Sequence, residues 1–437
     1  MIDREVGCTG WQRMNRRRWI AGSSGMALGW TAIAEALARE AESKHARTPA
    51  KSIIVLWLQG GPSQLETFDP HPNTKIGGDT RSISTSIPDV SISHLLPLTA
   101  EQLHHASLIR SMVSKEGDHE RATYNLKTGW RPDPTLIHPS IGAVLCHQTQ
   151  DNIEIPRHVS ILSSQWPARG GYMGPSFDAF QLEDPRNPLP NLRSYIPEER
   201  QKVRLEGLRN VLEVEFAKGR LQNLNQTKTL QQTATEQAVR MMESDQIQAF
   251  DIQREPESIQ KRFGDTPFGR GCLAAVRLIE TGVRCVEVEL NGWDTHINNH
   301  QLQSGRCEVL DAALAGTLSL LAERKLLDNT LVFCGGEFGR TPSINVSGGR
   351  DHWPTGFSVL LAGGGIRKGV VVGETSPEPD ESPEKRLDSV RRPVRVEDLH
   401  ATMLHALGID SSQELKTPVG RPLALSQGLV LPELIDT

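Results

Sequence analysis

The run SIIVLWL at residues 52–58 is continuous, rich in β-formers and closed by Gly60, Gly61 and Pro62, the mark of a strand buried on both faces. Similar runs recur at SLIRSM (107–112), HVSIL (158–162), VRCVEVEL (283–290), TLVFCGG (330–336) and FSVLLAGG (357–364). Helical patterns at 139–149, 267–282, 301–326 and 396–407 lie between and after them. That alternation predicts an α/β fold with a mostly parallel central sheet and helices on both faces. Residues 198–262 interrupt it: they are rich in Gln, Glu, Arg and Asn, hold no strand signal and carry apolar residues at helical spacing. They read as a helical insertion, either a solvated hairpin or a lid over a site. The charged, proline-containing stretch 376–393 reads as an exposed loop.

Ahead of the first strand stand Arg16, Arg17 and Arg18, a weak apolar run, and the tripeptide Ala36, Leu37, Ala38. This order describes a signal peptide over residues 1–38, and paired arginines before a weak run point to twin-arginine export into the periplasm. The alternative is an amphipathic N-terminal helix. Glycines, serines and Glu35 interrupt the run, so it is no membrane span, and residues 39–437 form the mature domain without one. The formal charge of -5 and the scattered basic residues argue against a nucleic-acid partner. Six cysteines show no C-x-x-C pair, and Cys285 and Cys334 sit in apolar strands as core residues.

In an open parallel sheet ligands bind beyond the carboxyl ends of the strands, so the polar residues after each strand are the candidates. The first strand runs into Gln59, Ser63, Gln64, Glu66 and Asp69. VEVEL runs into Asp294, His296 and His300, where a hard oxygen joined to imidazole suits zinc, manganese or iron. The competing reading makes Asp294 a helix N-cap with both histidines on the first turn. TLVFCGG delivers Glu337 and then Arg340, a residue suited to bidentate contact with phosphate or sulfate, and GGRDHW supplies Arg350, Asp351 and His352. After SLIRSM come Asp118, His119, Glu120 and Arg121, where a helix starting near His119 either aims its N–H groups at an anion or is merely exposed.

Taken together, LQGGPSQLETFDPHP, DHERATYNLKTG, GWDTHINNH, GGEFGRTPSINVSGGRDHWPTG and VEDLHATMLHALGID resemble the domain of unknown function 1501 family, exported bacterial proteins often labelled sulfatase-like. That family is similar in fold to the alkaline phosphatase and sulfatase superfamily. The resemblance implies a divalent metal such as zinc, manganese or calcium, and phosphoryl or sulfuryl transfer. It makes Asp294 and His296, with His300, a first metal loop, puts Glu337 at an acidic ligand position, and matches Asp351 and His352 to a late ligand loop. The sequence departs from the superfamily in three places. Phe338 follows Glu337 where a histidine is usual, and Gln59 replaces a first-strand aspartate as the metal-facing residue. Counting back from Thr128 and Gly129 puts His119 where sulfatases carry their modified cysteine, which excludes a formylglycine mechanism. His119 is left as nucleophile, ligand or anion contact, its ring expected to be neutral at a helix start.

The resulting expectation is a periplasmic metal-dependent hydrolase of phosphate or sulfate esters, acting on a small molecule or a polysaccharide. His119 lies near the reacting group and Arg340 or Arg350 holds the oxyanion. The rival is a non-catalytic exported protein binding sulfated or phosphorylated polysaccharide on the same scaffold.

Overall fold

Alternation along the first strand decides the layering. In the computed structural model, which describes residues 48–149, 151–189, 192, 196–197, 199–207 and 230–436, β1 (Ser52–Gln59) sends Ile54, Leu56 and Leu58 into one core and Ile53, Val55 and Trp57 into another. Both faces of the strand are buried, as its unbroken apolar run requires. Residues 1–38, expected to be a signal peptide, lie outside the described residues, as do residues 208–229 of the expected insertion.

Eight further strands complete the sheet: β2 (Ala106–Val113), β3 (His158–Ile161), β4 (Phe180–Leu182), β5 (Cys285–Asn291), β6 (Thr330–Gly335), β7 (Thr355–Gly363), β8 (Val371–Val372) and β9 (Val394–Arg395). Their order is β8-β2-β7-β6-β1-β5-β3-β4, with β9 also paired to β2. Every pairing is parallel except those of β7, which runs antiparallel to both β6 and β2. The fold is therefore a mostly parallel α/β sheet, and the reversal has a local cause. No helix crosses over between β6 and β7; the chain instead returns through a ribbon that pairs Gly339–Arg340 with His352–Trp353. The polar segment from Glu337 to His352 thus leaves and re-enters the sheet at one edge.

Helices α1 (His119–Thr128), α2 (Ile141–Gln148), α3 (Pro267–Thr281), α4 (Asn299–Glu323) and α5 (Val396–Ala406) cover the two faces. Leu273, Leu310, Leu314 and Leu318 of α3 and α4 pack in the first core, while Leu126, Leu145, Leu399 and Met403 of α1, α2 and α5 pack in the second. Asp118 caps α1 by accepting from the Arg121 N–H, and Thr266 caps α3 ahead of Pro267. The Thr128–Gly129 pair is the end of α1: Gly129 has φ 77°, and a side chain there would meet the His400 ring. Cys285 and Cys334 are buried in β5 and β6 as free thiols. Among the described residues no helix is long and apolar enough to cross a membrane.

The insertion is helical where it is described, at 199–207 and Leu230–Glu243. Its last part is neither a solvated hairpin nor a lid. Phe250 and Ile252 join the first core, and Phe263, just past the expected boundary at 262, lies 1% exposed against Gly316 of α4. Replacing Phe263 by alanine should cost roughly 3–5 kcal/mol by emptying that space. A denaturant midpoint equal to that of the parent protein would return the segment to the surface.

Candidate metal centre

β1 ends in a turn that only glycine permits. Gly60 has φ 116°, and a Cβ there would lie 2.6 Å from the Asp294 backbone nitrogen. This approach brings the loop after β5 against the end of β1, with the loop after β6 beside both. Asp294 and His296 follow β5, Glu337 follows β6, His352 precedes β7, and His119 opens α1 after β2. All five side chains meet at the one edge.

Three imidazoles are held in the same sense. His119 Nδ1 donates to Glu337 Oε1 at 2.7 Å, His296 Nδ1 to Asp351 Oδ1 at 2.7 Å, and His352 Nδ1 to the Gly117 carbonyl at 2.8 Å. A carboxylate or carbonyl oxygen accepts, so each ring is placed to keep its hydrogen on Nδ1 and turn Nε2 inward. The three Nε2 atoms lie 3.4, 3.1 and 3.4 Å from Asp294 oxygens, for His119, His296 and His352 respectively. His296 Nε2 and His352 Nε2 are 3.0 Å apart. Lone pairs so close repel unless a proton or a cation lies between them.

His119 faces the other oxygen of Asp294, and a proton is held there. Burial opposes a charged His119 ring, but pairing with Asp294 and Glu337 outweighs it and raises the ring to about 9. The same contacts act on Asp294: burial works against ionisation, yet His119, His352 and Arg340 hold it far below the usual carboxylate range. The expected neutral His119 is thus corrected for the metal-free site. The helix start disfavours the charge, but two carboxylates within 3.4 Å prevail.

The cluster also passes the test for a metal. His119, Asp294 and His352 each offer a donor atom within 4.8 Å of the others, and His119 Nε2 and Glu337 Oε2 are buried atoms with no hydrogen-bond partner. Imidazoles whose far nitrogens are tied to carboxylate or carbonyl are the usual ligands of zinc-like ions. Glu337 itself is wholly buried, and its Oε1 accepts from His119, Gly60 N and Gln59 Nε2. Asp351 stands behind His296, where the histidine's hydrogen bond lowers its pKa. Both carboxylates therefore orient imidazoles. Phe338 packs against the rings of His119 and His352.

Four other candidates are placed differently. The Gln59 carbonyl accepts from the Trp57 indole at 2.6 Å, which leaves its amide N–H group facing Glu337; it offers no oxygen to a cation. His300 lies apart, its Nδ1 3.1 Å from Glu66 Oε1. Arg350 is fully buried, bonded to Glu66 and to the carbonyls of Thr341, Pro342 and Ile76. Every nitrogen of Arg340 is bonded as well, to the carbonyls of Gly60, Gly61 and Arg350 and to Asp294 Oδ1 at 2.6 Å. Neither arginine can clamp an oxyanion: Arg340 fixes Asp294, and Arg350 is a structural ion pair whose halving would cost roughly 3–5 kcal/mol. The capping reading of Asp294 also fails, since α4 starts after Asn298 without a side-chain cap. Sequence reasoning missed Glu66 as the buried partner of Arg350 and His300, and the Gly117 carbonyl. Only the buried acid in LETFDP offered a signal, because a backbone acceptor leaves none.

Fold and site define an α/β protein with a histidine and aspartate cluster beyond the carboxyl edge of a mostly parallel sheet. Residues 50–435 match the DUF1501 family of proteins of unknown function, and the chain belongs to it. No curated protein matches the chain. Similar solved structures include the alkaline phosphatase of the Antarctic bacterium TAB5, at 14% identity and TM-score 0.36, covering 83% of this chain and 99% of that one. A sulfatase from Pseudoalteromonas sp. is similar at 14% identity and TM-score 0.37, covering 85% of this chain and 70% of the other. A phosphonate monoester hydrolase from Silicibacter pomeroyi follows at 11% and 0.33, with 87% and 76% covered.

In metal-stripped protein the charged His119 ring contributes stability in full below pH 6.5. That contribution is lost as pH rises through about 9, because the folded state holds the proton more tightly than the unfolded chain. The melting temperature of stripped protein should therefore fall across this window, and that of His119→Asn should not. Parallel curves for the two would show that the ring carries no extra proton.

Proposed function

We propose that the chain is an exported, metal-dependent hydrolase of phosphate or sulfate esters. The observation that carries this reading is the set of three imidazoles whose Nδ1 atoms are tied outward and whose Nε2 atoms face one carboxylate. His119, Asp294 and His352 are the residues that would hold a divalent cation, with Glu337 and the Gly117 carbonyl setting the rings and Arg340 setting the carboxylate. When bound, the cation supplies Lewis-acid charge for the ester oxygens, the task that neither buried arginine can perform.

His296 and Asp351 stand at the open rim, with side chains 44% and 57% exposed. There His296 Nε2 takes the proton of an attacking water, Asp351 stabilises the resulting imidazolium through Nδ1, and the proton passes to the leaving alcohol. Water is the nucleophile because this ring of side chains contains no hydroxyl or thiol. One observation favours the rival, a non-catalytic protein binding sulfated or phosphorylated polysaccharide: both arginines are committed inside the protein and are not free to clamp an oxyanion.

Reconstitution with zinc or manganese, followed by elemental analysis and assays on 4-nitrophenyl phosphate and 4-nitrophenyl sulfate, separates the two. The hydrolase reading expects stoichiometric metal and turnover of one ester, and Glu337→Gln should weaken metal affinity about 10–100-fold by freeing the His119 ring. Stoichiometric metal without turnover would favour the binding protein, and absence of metal after reconstitution would sink the metal centre.

Export rests on Arg16, Arg17 and Arg18 followed by the small-residue site at Ala36–Ala38. Replacing the three arginines by lysine should leave precursor in the cytoplasm. Normal export of that variant would remove the twin-arginine route.

A further inference from the structure

Beside the metal centre runs a groove of about 890 Å³, separated from it by a shared wall. That wall is the loop after β2. Its Gly117 carbonyl holds His352, its Ser114 N–H donates to the Pro354 carbonyl, and Ser114 and Lys115 line the groove on the other side. Five basic and three acidic side chains face the groove. Arg131 is bonded to Glu116 and Arg395 to Asp398, whereas Lys115, Arg386 and Arg421 make no ion pair among the described residues. These three arrive from three separate segments, namely the loop after β2, the turn Arg386–Ser389 and the hairpin Glu414–Lys416 with Pro422–Ala424. Trp130 lines the same groove, stacked at 4.8 Å on the buried His138 with the ring planes 6° apart. Leu387 and Val419 on the groove are 50% and 75% exposed.

We propose that this groove binds an anionic polysaccharide, a chain of sugars carrying sulfate or phosphate esters, and presents those esters to the metal centre. Unpaired cationic groups match the oxygens of such esters, and the excess of basic over acidic side chains leaves a positive field on the groove. The indole face and the apolar rim match the apolar faces of sugar rings, whose edges remain polar. Three cations spread over a wide groove suit sparsely charged sugars; a chain of net charge -5 with no basic stripe lacks the field that a polyphosphate backbone demands. The proposal rests on the hydrolase reading for what becomes of the bound ester, but the binding does not depend on it.

Native gels of the full-length mature chain cast with dextran sulfate, neutral dextran or single-stranded DNA test it. Dextran sulfate should retard the protein at concentrations where the other two do not. The double variant Arg386→Gln with Arg421→Gln should lose about tenfold in that affinity while keeping its melting temperature and its activity on 4-nitrophenyl esters. Unchanged retardation of the double variant, or equal retardation by DNA, would overturn the groove as a polysaccharide site. Groove-dependent retardation in a protein that hydrolyses no ester would support the groove and remove the hydrolase reading.

Discussion

A guanidinium taken wholly out of water must meet acceptors on every side, and Arg340 is that group here. It gathers the carbonyls of Gly60 and Gly61 from the turn after β1, that of Arg350 from the loop before β7, and the carboxylate of Asp294 from the loop after β5. Three loops far apart in sequence are thereby fixed around one charge, and Asp294 is the only one of these acceptors that also faces solvent. The position of the carboxylate at the centre of the imidazole ring follows from a cation buried beneath it.

The sheet supplies the second constraint. Parallel strands β1, β5 and β6 deliver their carboxyl ends to one edge, and the reversal at β7 lets a single loop contribute both Glu337 and His352 there. The loops are then fastened to one another by backbone. The Asn299 N–H donates to the Gly348 carbonyl, the Arg350 N–H to the Thr295 carbonyl, and the Asn345 side chain to the His296 carbonyl. A Cβ on Gly349 would fall 1.9 Å from that same carbonyl, so the loops of His296 and Asp351 lie back to back with no room between them. Preorganisation of this kind is what keeps like-charged or lone-pair-bearing groups together.

Much of this was legible in the sequence. Strand and helix alternation gave the α/β sheet, and the strand-end rule gathered Asp294, His296, Glu337 and His352, with His119 joining from a spacing coincidence. What sequence could not convey was direction and depth. Gln59 sits where expected but turns its oxygen to Trp57, and His300, in the first turn of α4, turns to Glu66. Arg340 and Arg350 looked like anion clamps because charged residues in glycine-rich loops are normally solvated, whereas both are fully buried. The Gly117 carbonyl that orients His352 has no side-chain signature at all.

The loop that starts at Glu337 and ends at His352 is anchored at both ends in the same edge, while its tip reaches Val346, whose side chain is fully exposed. The neighbours of Val346 on either side are the fasteners, Asn345 on the His296 carbonyl and Gly348 on the Asn299 N–H, so an exchange of the Val346 side chain changes an outer contact alone, whereas an insertion or deletion beside it would pull on the loop that carries His296.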